Sequence, residues 1–359
     1  MNYNQFHIGQ RMIGGNSPTY FIADIAANHN GDLGKAKELI YLAKEAGADA
    51  AKFQHFKAKT IVSDRGFKSL GSQLSHKKNW KKSVVEVYQD AEVPLSWTEA
   101  LSKTCQAAGI DFFTSPYDMD DIDFIDLFVP AYKVGSGDIT FHSIIMKMAK
   151  KGKPMLMATG ASTLVEVEAA VARISSVNPS IAVMQCNTNY TAEFENFKHI
   201  NLNVLKTYAQ VFPNVVLGLS DHTFGHATVL GAIALGAKVI EKHFTDNNAQ
   251  EGPDHKFSMN PVTWRDMMDR ARELELAMGD GIKRIEANEK ESSIVQRRCL
   301  RVNKSLNKGD ILSAEYLEAL RPAPQGAILP YQLDNIIGKK LTKDLEMGEE
   351  LTWEDLVDA

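Results

Sequence analysis

The segment Lys238-Val-Ile-Glu-Lys-His-Phe-Thr245 predicts a buried β-strand with a polar end. It begins with β-branched apolar residues and ends in charged and aromatic ones, although a strand buried on both faces needs only apolar side chains. Upstream, Val215-Val-Leu-Gly-Leu-Ser-Asp-His222 has the same form and also ends in a histidine. Two consecutive strands of this kind predict histidines side by side at the mouth of a parallel barrel.

Six further segments predict strands of the same type, separated for the most part by helical stretches: 20–26, 50–56, 111–117, 131–137, 154–160 and 181–187. Eight strand-helix units in roughly 280 residues are typical of a (β/α)₈ TIM barrel, an α/β fold. The competing fold is a doubly wound open sheet. That fold expects a glycine-rich phosphate turn after its first strand, and Asn28-His-Asn-Gly31 does not match one.

The composition is that of an ordinary globular protein, with 359 residues, 44% hydrophobic and 24% charged. A net charge of −5 gives no electrostatic reason to expect nucleic acid or an anionic membrane as a partner. The three cysteines are far apart and form no C-x-x-C pattern, which is typical of a reducing compartment. We therefore expect a soluble, cytoplasmic protein without a signal peptide or a membrane span.

The chain predicts a barrel over residues 1–280, a charged linker over 281–293 and a small β-rich domain over 294–359. In the last part, Leu306-Asn-Lys-Gly-Asp-Ile-Leu312 and Leu345-Glu-Met-Gly-Glu-Glu-Leu351 repeat the pattern L-x-x-G-[DE]-x-L. The repeat predicts a pseudo-symmetric domain in which both copies make the same turn. Such a domain is small for an independent core, so we expect it to dock on another surface.

Residues 57–93 interrupt the strand-helix rhythm and are basic around Lys77-Lys-Asn-Trp-Lys-Lys82. A segment after the second strand lies on the catalytic face of a barrel, so it predicts a lid or substrate loop. A solvated charged surface is the alternative.

The polar side chains at the carboxyl ends of the predicted strands should meet at one mouth. They are Asp24, Lys52, Gln54, Ser115, Lys133, Ser136, Thr188, Tyr190, Ser220, His222, Glu241 and His243. Paired neutral imidazoles commonly hold a catalytic divalent metal, and the alternative is two hydrogen-bonded structural histidines. Asp254, presented by a Gly-Pro turn, could take up a sugar hydroxyl or a metal-bound water.

Lys52 and Lys133 lie inside apolar strands, where an unpaired ammonium costs several kcal/mol. Two such lysines predict an anionic ligand that carries phosphate and carboxylate groups. Two alternatives remain. The lysines could be salt-bridged core residues, or one could form a Schiff base as in a class I aldolase, although that chemistry would not need the histidine pair.

Five motifs occur in series: Ala23-Asp-Ile-Ala-Ala-Asn-His-Asn-Gly31, Tyr132-Lys-Val-Gly-Ser-Gly137, Gly218-Leu-Ser-Asp-His-Thr223, Glu241-Lys-His-Phe-Thr245 and Gly252-Pro-Asp-His-Lys-Phe-Ser258. In this order they resemble the sialic acid synthase family, of the N-acetylneuraminate synthase type. Arg297-Arg-Cys-Leu300 and Arg321-Pro322 resemble the antifreeze-like (SAF) domain that ends these enzymes. The resemblance extends over nearly the whole chain.

The resemblance implies condensation of phosphoenolpyruvate with the open-chain aldehyde of an N-acylated amino sugar, which yields a nine-carbon 2-keto-3-deoxy acid and phosphate. It implies that His222 and His243 hold Mn²⁺ or Mg²⁺. It implies catalytic roles for Asp24, Asp138, Asp254, Lys52 and Lys133, and substrate binding by Gln54, Ser115, Ser136, Thr188, Tyr190, Ser220 and Arg321. Arg321 matches an arginine that one subunit lends to its partner, which implies a domain-swapped homodimer.

Three positions depart from the family pattern: Asp24 and Asp138 stand where glutamate is usual, and Thr188 replaces Asn or Ser. A carboxylate one methylene shorter shifts its charge by about 1.5 Å, which would alter the sugar contacts. N-acetylmannosamine, its 6-phosphate and a diacetamido-trideoxyhexose that leads to a legionaminic- or pseudaminic-type acid all remain open. The rival functions are another phosphoenolpyruvate- or pyruvate-using aldol barrel on a shorter sugar phosphate, and a non-catalytic glycan-binding homologue.

Overall fold

The computed structural model describes residues 4–70 and 82–359. The chain separates into two compact units, Met1–Gly279 and Asp280–Ala359. The segment predicted as a linker, 281–293, belongs to the second unit and includes a short helical turn at Ala287–Glu289.

The first unit begins with an antiparallel hairpin of β1 (Gln5–Ile8) and β2 (Arg11–Gly14). The strands that follow are β3 (Tyr20–Asp24), β4 (Ala50–His55), β5 (Asp111–Pro116), β6 (Tyr132–Val134), β7 (Met155–Ala158), β8 (Ile181–Cys186), β9 (Val216–Asp221) and β10 (Val239–His243). In the described residues these form an eight-stranded sheet in the order β5-β4-β3-β10-β9-β8-β7-β6, and neighbouring strands in this order run parallel. The last strand, β10, pairs with the first, β3, as barrel closure requires, so the predicted (β/α)₈ barrel is confirmed.

The α-helices of the first unit are α1 (Leu33–Glu45), α2 (Ala58–Ile61), α3 (Asp64–Leu70), α4 (Val84–Asp90), α5 (Thr98–Ala108), α6 (Ile122–Ile125), α7 (His142–Ala149), α8 (Leu164–Ser175), α9 (Val204–Val211), α10 (Ala227–Ala234) and α11 (Pro261–Met278). The predicted capping box is present at the start of α8, where Thr163 and Glu166 satisfy each other's backbone N–H groups. Among the described residues, no helix combines the length and apolar character that crossing a bilayer requires.

The predicted lid segment contains the three short helices α2, α3 and α4. Most of its basic stretch, residues 77–82, lies outside the described residues, so the lid stays a prediction.

Apolar side chains fill one end of the barrel interior and leave the other end to polar groups. Phe6, Ile8 and Ile13 of the hairpin share a buried cluster with Ile22 and Leu156 of the barrel strands. The hairpin therefore closes the end where the strands begin. The side chains two residues further along the strands, such as Asp24 and Glu241, are polar and face the opposite mouth.

The second unit contains α12 (Ser292–Val295) and two antiparallel pairs, β11 (Cys299–Val302) with β12 (Leu317–Leu320) and β13 (Lys340–Leu341) with β14 (Leu356–Val357). The repeated motif forms its centre, because the backbones of Leu306 and Leu345 exchange both hydrogen bonds at 2.9 Å. Gly309 and Gly348 occupy equivalent turns with φ of 93° and 92°, a conformation that favours glycine. Both copies thus make the same turn, as the repeat predicts.

Candidate active site

The two histidines of the motif series lie together at the barrel mouth. His243 ends β10, His222 directly follows β9, and their ring centroids are 5.3 Å apart. The Nδ1 of His222 lies 2.8 Å from the carbonyl oxygen of Asn187, so Nδ1 donates to that carbonyl and Nε2 is the nitrogen that could bind a metal. A backbone carbonyl that fixes the tautomer in this way is common behind metal-binding histidines.

His243 lies between two carboxylates. Its Nε2 is 3.7 Å from Asp24 Oδ2 and its Nδ1 is 3.9 Å from Asp254 Oδ2. Burial lowers the pKa of His243 well below its usual range, so the ring is neutral. Its Nδ1 is buried and makes no hydrogen bond within the described part of the chain. A neutral imidazole with an unsatisfied nitrogen fits a metal ligand.

The described residues contain no cluster of three or more His, Cys, Asp or Glu side chains arranged to hold a metal ion. Two imidazoles alone would leave the other coordination positions of a divalent ion for water or substrate oxygen. Such a ligand set is compatible with a catalytic site, which keeps coordination positions open, rather than with a closed structural site.

The two predicted lysines converge on one carboxylate. Lys133 Nζ lies 3.2 Å and Lys52 Nζ lies 3.7 Å from Glu241 Oε1, which also accepts a hydrogen bond of 3.1 Å from Ser220. All three charged side chains are at most 5% exposed. The other oxygen of Glu241 makes no hydrogen bond among the described residues. Glu241 therefore faces both buried ammonium groups at once.

Asp24 links Lys52 to His243. Its Oδ2 lies 2.6 Å from Lys52 Nζ and accepts a hydrogen bond of 3.1 Å from Gln54, while its Oδ1 accepts one from the backbone of Ala26. Burial alone would lower the pKa of Lys52, but the charges of Asp24 and Glu241 outweigh it and raise that pKa above its ordinary value. Lys52 is therefore a permanent cation, and it cannot readily supply the neutral amine of a Schiff-base mechanism.

The pKa values of the remaining two predicted carboxylates are raised towards neutral pH. Burial raises the pKa of Asp254 to about 6, although a hydrogen bond of 3.2 Å from the backbone of Ala27 opposes the shift. Burial also raises the pKa of Asp138, in the turn Ser136–Asp138 after β6, to about 6. Both groups could thus exchange a proton near neutral pH.

The predicted hydroxyl groups line the same mouth. Ser115, in β5, is buried, and Ser136 accepts a hydrogen bond of 2.9 Å from the backbone of Gly160. A Cβ atom at Gly160 would lie 2.5 Å from Thr188, so glycine allows the loops after β7 and β8 to approach each other. The structure thereby brings Ser136 and Thr188 to one side of the pocket.

Aromatic rings cover the histidines. The ring centroid of Tyr190 lies 4.4 Å from that of His222, and the ring centroid of Phe257 lies 4.9 Å from that of His243. Phe257 follows Asp254 in the loop after β10, and its apolar ring shields one face of the pair from water. This arrangement strengthens electrostatic interactions inside the pocket by lowering the local dielectric constant.

Arg321 lies in the second unit and is exposed. The carbonyl oxygen of the next residue, Pro322, accepts hydrogen bonds from Arg301 Nη2 at 2.8 Å and from Cys299 Sγ at 3.2 Å. The backbone that carries Arg321 is therefore anchored while its side chain stays accessible.

Sequence reasoning collected Glu241 at the mouth but assigned it no role, and it missed Phe257. The signal for Glu241 was the strand period of two, because a residue two positions before His243 must face the same interior. Phe257 had no such signal, because only the folded loop brings its ring to His243.

Comparison with known proteins identifies related chains along almost the entire length. A model of the NeuB family matches residues 39–283, and a model of the SAF domain matches residues 297–357. The N,N'-diacetyllegionaminic acid synthase of Legionella pneumophila is 35% identical over 364 residues, which cover 99% of each protein. The N-acetylneuraminate-9-phosphate synthase of Homo sapiens is 32% identical over 349 residues, covering 97% of this chain and 95% of the human one.

A solved structure is similar as well. The N-acetylneuraminic acid (sialic acid) synthetase of Leptospira borgpetersenii, crystallised in complex with citrate, superimposes with a TM-score of 0.70 at 26% identity. The match covers 81% of this chain and 95% of that one.

Proposed function

Because the chain belongs to the NeuB family and ends in a SAF domain, we propose that it condenses phosphoenolpyruvate with the open-chain aldehyde of an N-acylated amino sugar. The products would be a nine-carbon 2-keto-3-deoxy acid and inorganic phosphate. Family membership confirms the resemblance recognised in the motifs, and the curated relatives are named as synthases of acids of this type. The chain is an enzyme of that kind.

The observation that carries this proposal is the single polar cluster at the barrel mouth. Two buried ammonium groups, two imidazoles and three carboxylates lie within one connected set of contacts. Phosphoenolpyruvate carries a phosphate and a carboxylate, which are the anions that Lys52 and Lys133 would neutralise. Ser115, Ser136 and Ser220 would add hydroxyl donors to the same ligand.

Binding in this pocket would hold the vinyl carbon of phosphoenolpyruvate against the aldehyde carbon of the sugar. A new carbon–carbon bond forms between them, and the aldehyde oxygen takes up a proton. Positive charge develops at the enol carbon, where water adds with loss of a proton. The hydroxyl of the resulting tetrahedral centre then loses its proton and becomes the keto group, while the bond from that carbon to the phosphate oxygen breaks and inorganic phosphate leaves. The lysines would stabilise the negative charge of that leaving group.

His222 and His243 would hold a divalent ion, Mn²⁺ or Mg²⁺, through their unprotonated ring nitrogens. When bound, this ion supplies Lewis-acid polarisation of an aldehyde oxygen. The neutral state of His243 and the backbone-fixed tautomer of His222 support the assignment.

Asp254 and Asp138 are the candidate proton acceptors for the attacking water, because burial raises the pKa of each to about 6. Asp24 is less suited to that task, since Lys52 occupies its Oδ2 at 2.6 Å. We propose that Asp24 orients Lys52 and Gln54 and contacts the sugar with its remaining lone pairs.

Tyr190, Thr188 and Gln54 would contact the sugar. From the resemblance we also propose a homodimer in which Arg321 of one subunit enters the barrel of the other. The exposed side chain of Arg321 and its anchored backbone support a residue that is presented to a partner.

The test is incubation of the full-length protein with phosphoenolpyruvate, Mn²⁺ and a panel of N-acylated amino sugars and shorter aldose phosphates. Phosphate release is followed, and product masses are read by mass spectrometry. We expect phosphate release with an N-acylated amino sugar, together with a product mass of one pyruvate unit added to that sugar. Release only with shorter aldose phosphates would support the rival aldol-type enzyme. Sugar binding without phosphate release would support the non-catalytic homologue.

A further inference from the structure

A second buried ion pair lies directly behind the two histidines, on the opposite face of the same strands. Lys242 Nζ lies 2.5 Å from Asp221 Oδ2, and both side chains are 1% exposed. Side chains alternate along a strand, so these two point towards the helices while Ser220, Glu241 and His243 point into the barrel. The mechanism proposed above uses neither residue.

The contacts of Lys242 reach both sides of His222. Its ammonium group donates to the carboxylate of Asp221 at 2.5 Å and to the backbone carbonyl of Thr223 at 2.6 Å. Those two residues flank His222 in sequence, and Lys242 itself precedes His243. One side chain therefore connects the backbone that carries one imidazole to the backbone that carries the other.

The carboxylate of Asp221 accepts several further hydrogen bonds. It accepts hydrogen bonds from the backbone of Thr223 at 3.1 Å, from the hydroxyl of Thr223 at 2.9 Å and from the hydroxyl of Thr228 at 2.6 Å. Thr228 belongs to α10, so the carboxylate also joins the strand ends to the helix between them. Lys242 and Asp221 are also the last paired residues in the register between β9 and β10.

We propose that Lys242 and Asp221 are positioning residues that hold His222 and His243 at the separation needed to bind a divalent ion. This inference rests on the metal site of the proposed function. The paired register between β9 and β10 ends one residue before each histidine, although His243 stays paired with Asp24 of β3 on its other side. The cross-strand contacts of Lys242 take the place of the pairing between β9 and β10 there, much as outer contacts orient the ligands of other metal sites.

Removing both charges together separates a positioning role from a purely structural one. If the pair only stabilised the fold, Mn²⁺ affinity would recover together with the melting temperature. Replacing a buried ion pair with neutral residues of similar volume is often neutral for stability, whereas removing one partner leaves an uncompensated buried charge. The double variant Asp221→Asn with Lys242→Met should therefore recover most of the melting temperature that Lys242→Met loses. Asparagine cannot make a charged contact, and methionine cannot donate to Thr223, so the restraint on the histidines stays broken.

The experiment measures Mn²⁺ affinity by electron paramagnetic resonance of the free ion, for the full-length parent, Lys242→Met, Asp221→Asn and the double variant. Circular dichroism and melting temperature report the fold of each. We expect the double variant to melt near the parent but to bind Mn²⁺ at least roughly tenfold more weakly, the usual effect of losing an outer-shell contact. The affinity for phosphoenolpyruvate, measured by calorimetry, should change by less than about twofold, because the lysines that would bind it face the barrel interior.

The matched control is Lys153→Met, which removes an ion pair of 3.0 Å with Asp126 just before β7, at the amino-terminal end of the strands. That variant should keep the parent Mn²⁺ affinity. If the double variant binds Mn²⁺ as tightly as the parent does, the positioning role is refuted and the metal site stands. Should the double variant not fold, Asp221→Asn alone provides the same test. A parent protein that binds no Mn²⁺ would instead refute the metal site and the inference with it.

Discussion

Replacing Glu241 with glutamine should weaken the fold and at the same time strengthen the binding of phosphoenolpyruvate. Glu241 is the carboxylate to which Lys133 and Lys52 are both directed, at 3.2 Å and 3.7 Å. In the free protein it partly neutralises two buried ammonium groups. An incoming phosphate and carboxylate would compete with it for the same two cations. Stability and ligand affinity should therefore respond to the substitution in opposite directions.

The magnitude follows from these distances. At an effective dielectric constant of about 20, a unit charge pair 3.2 Å apart interacts by about 5 kcal/mol. Glutamine keeps a carbonyl dipole towards Lys133, and Lys52 keeps Asp24 at 2.6 Å, so only part of that energy is lost. We expect a loss of about 3 kcal/mol, at the lower end of the range for breaking a buried ion pair. For a barrel of this size that corresponds to a fall of roughly 6 °C in melting temperature.

The assay is thermal unfolding with and without phosphoenolpyruvate, combined with calorimetric titration. Removing the competing carboxylate should lower the Kd for phosphoenolpyruvate by roughly tenfold, or about 1.4 kcal/mol. The control is Glu275→Gln in α11, which alters a carboxylate that pairs with Arg272 at 2.6 Å and accepts from the backbone of Thr19. It should lower the melting temperature without changing the Kd. A Glu241→Gln variant with unchanged melting temperature and unchanged Kd would refute our account of the lysine pair.

Three further predictions concern the other parts of the proposed site. His243→Ala should abolish Mn²⁺-dependent phosphate release while the circular dichroism spectrum stays that of the parent; full activity would refute the metal assignment. Truncation after Gly279 should abolish activity, and Arg321→Ala should raise the KM for the sugar, whereas an active barrel alone would contradict the swapped dimer. Burial raises the pKa of Asp138 to about 6, so its ionisation destabilises the fold increasingly from about pH 4 to 6 and fully above that range. Asp138→Asn should therefore raise the melting temperature at pH 7.5 but not at pH 4, and should lower turnover; unchanged stability at pH 7.5 would contradict the burial of this carboxylate.

The fold was largely predictable because its signal is local and repeated. Each barrel strand combines an apolar start with a polar carboxyl end, and the helices between the strands show apolar residues at helical spacing. The closure of β3 onto β10 followed from the number of such units rather than from any one of them. The amino-terminal hairpin was not predicted, because its few apolar residues, Phe6, Ile8 and Ile13, gain their role only by inserting into the barrel end.

Most of the candidate site could be placed at the mouth from the sequence, but its pairings could not. Strand ends predict which residues share the mouth, whereas the partner of each charge depends on the side-chain geometry around the barrel circumference. Lys52 and Lys133 were expected to need an external anion, and the alternative was a salt-bridged core pair. In the structure Glu241 and Asp24 pair with the lysines, as the alternative expects, and the external anion stays a prediction.

The two carboxylates that depart from the family pattern are not equivalent in this chain. Asp24 is tied to Lys52, to Gln54 and to the backbone of Ala26, so its position is set by three partners and its shorter side chain is already accommodated. Asp138 lies in a short turn, and burial rather than a partner dominates its pKa. Because no partner fixes its position, the shorter side chain of Asp138 should change the distance between its carboxylate and a bound sugar. If the chain prefers a sugar different from that of its relatives, the turn Ser136–Asp138 is the part of the pocket where we expect the difference to originate.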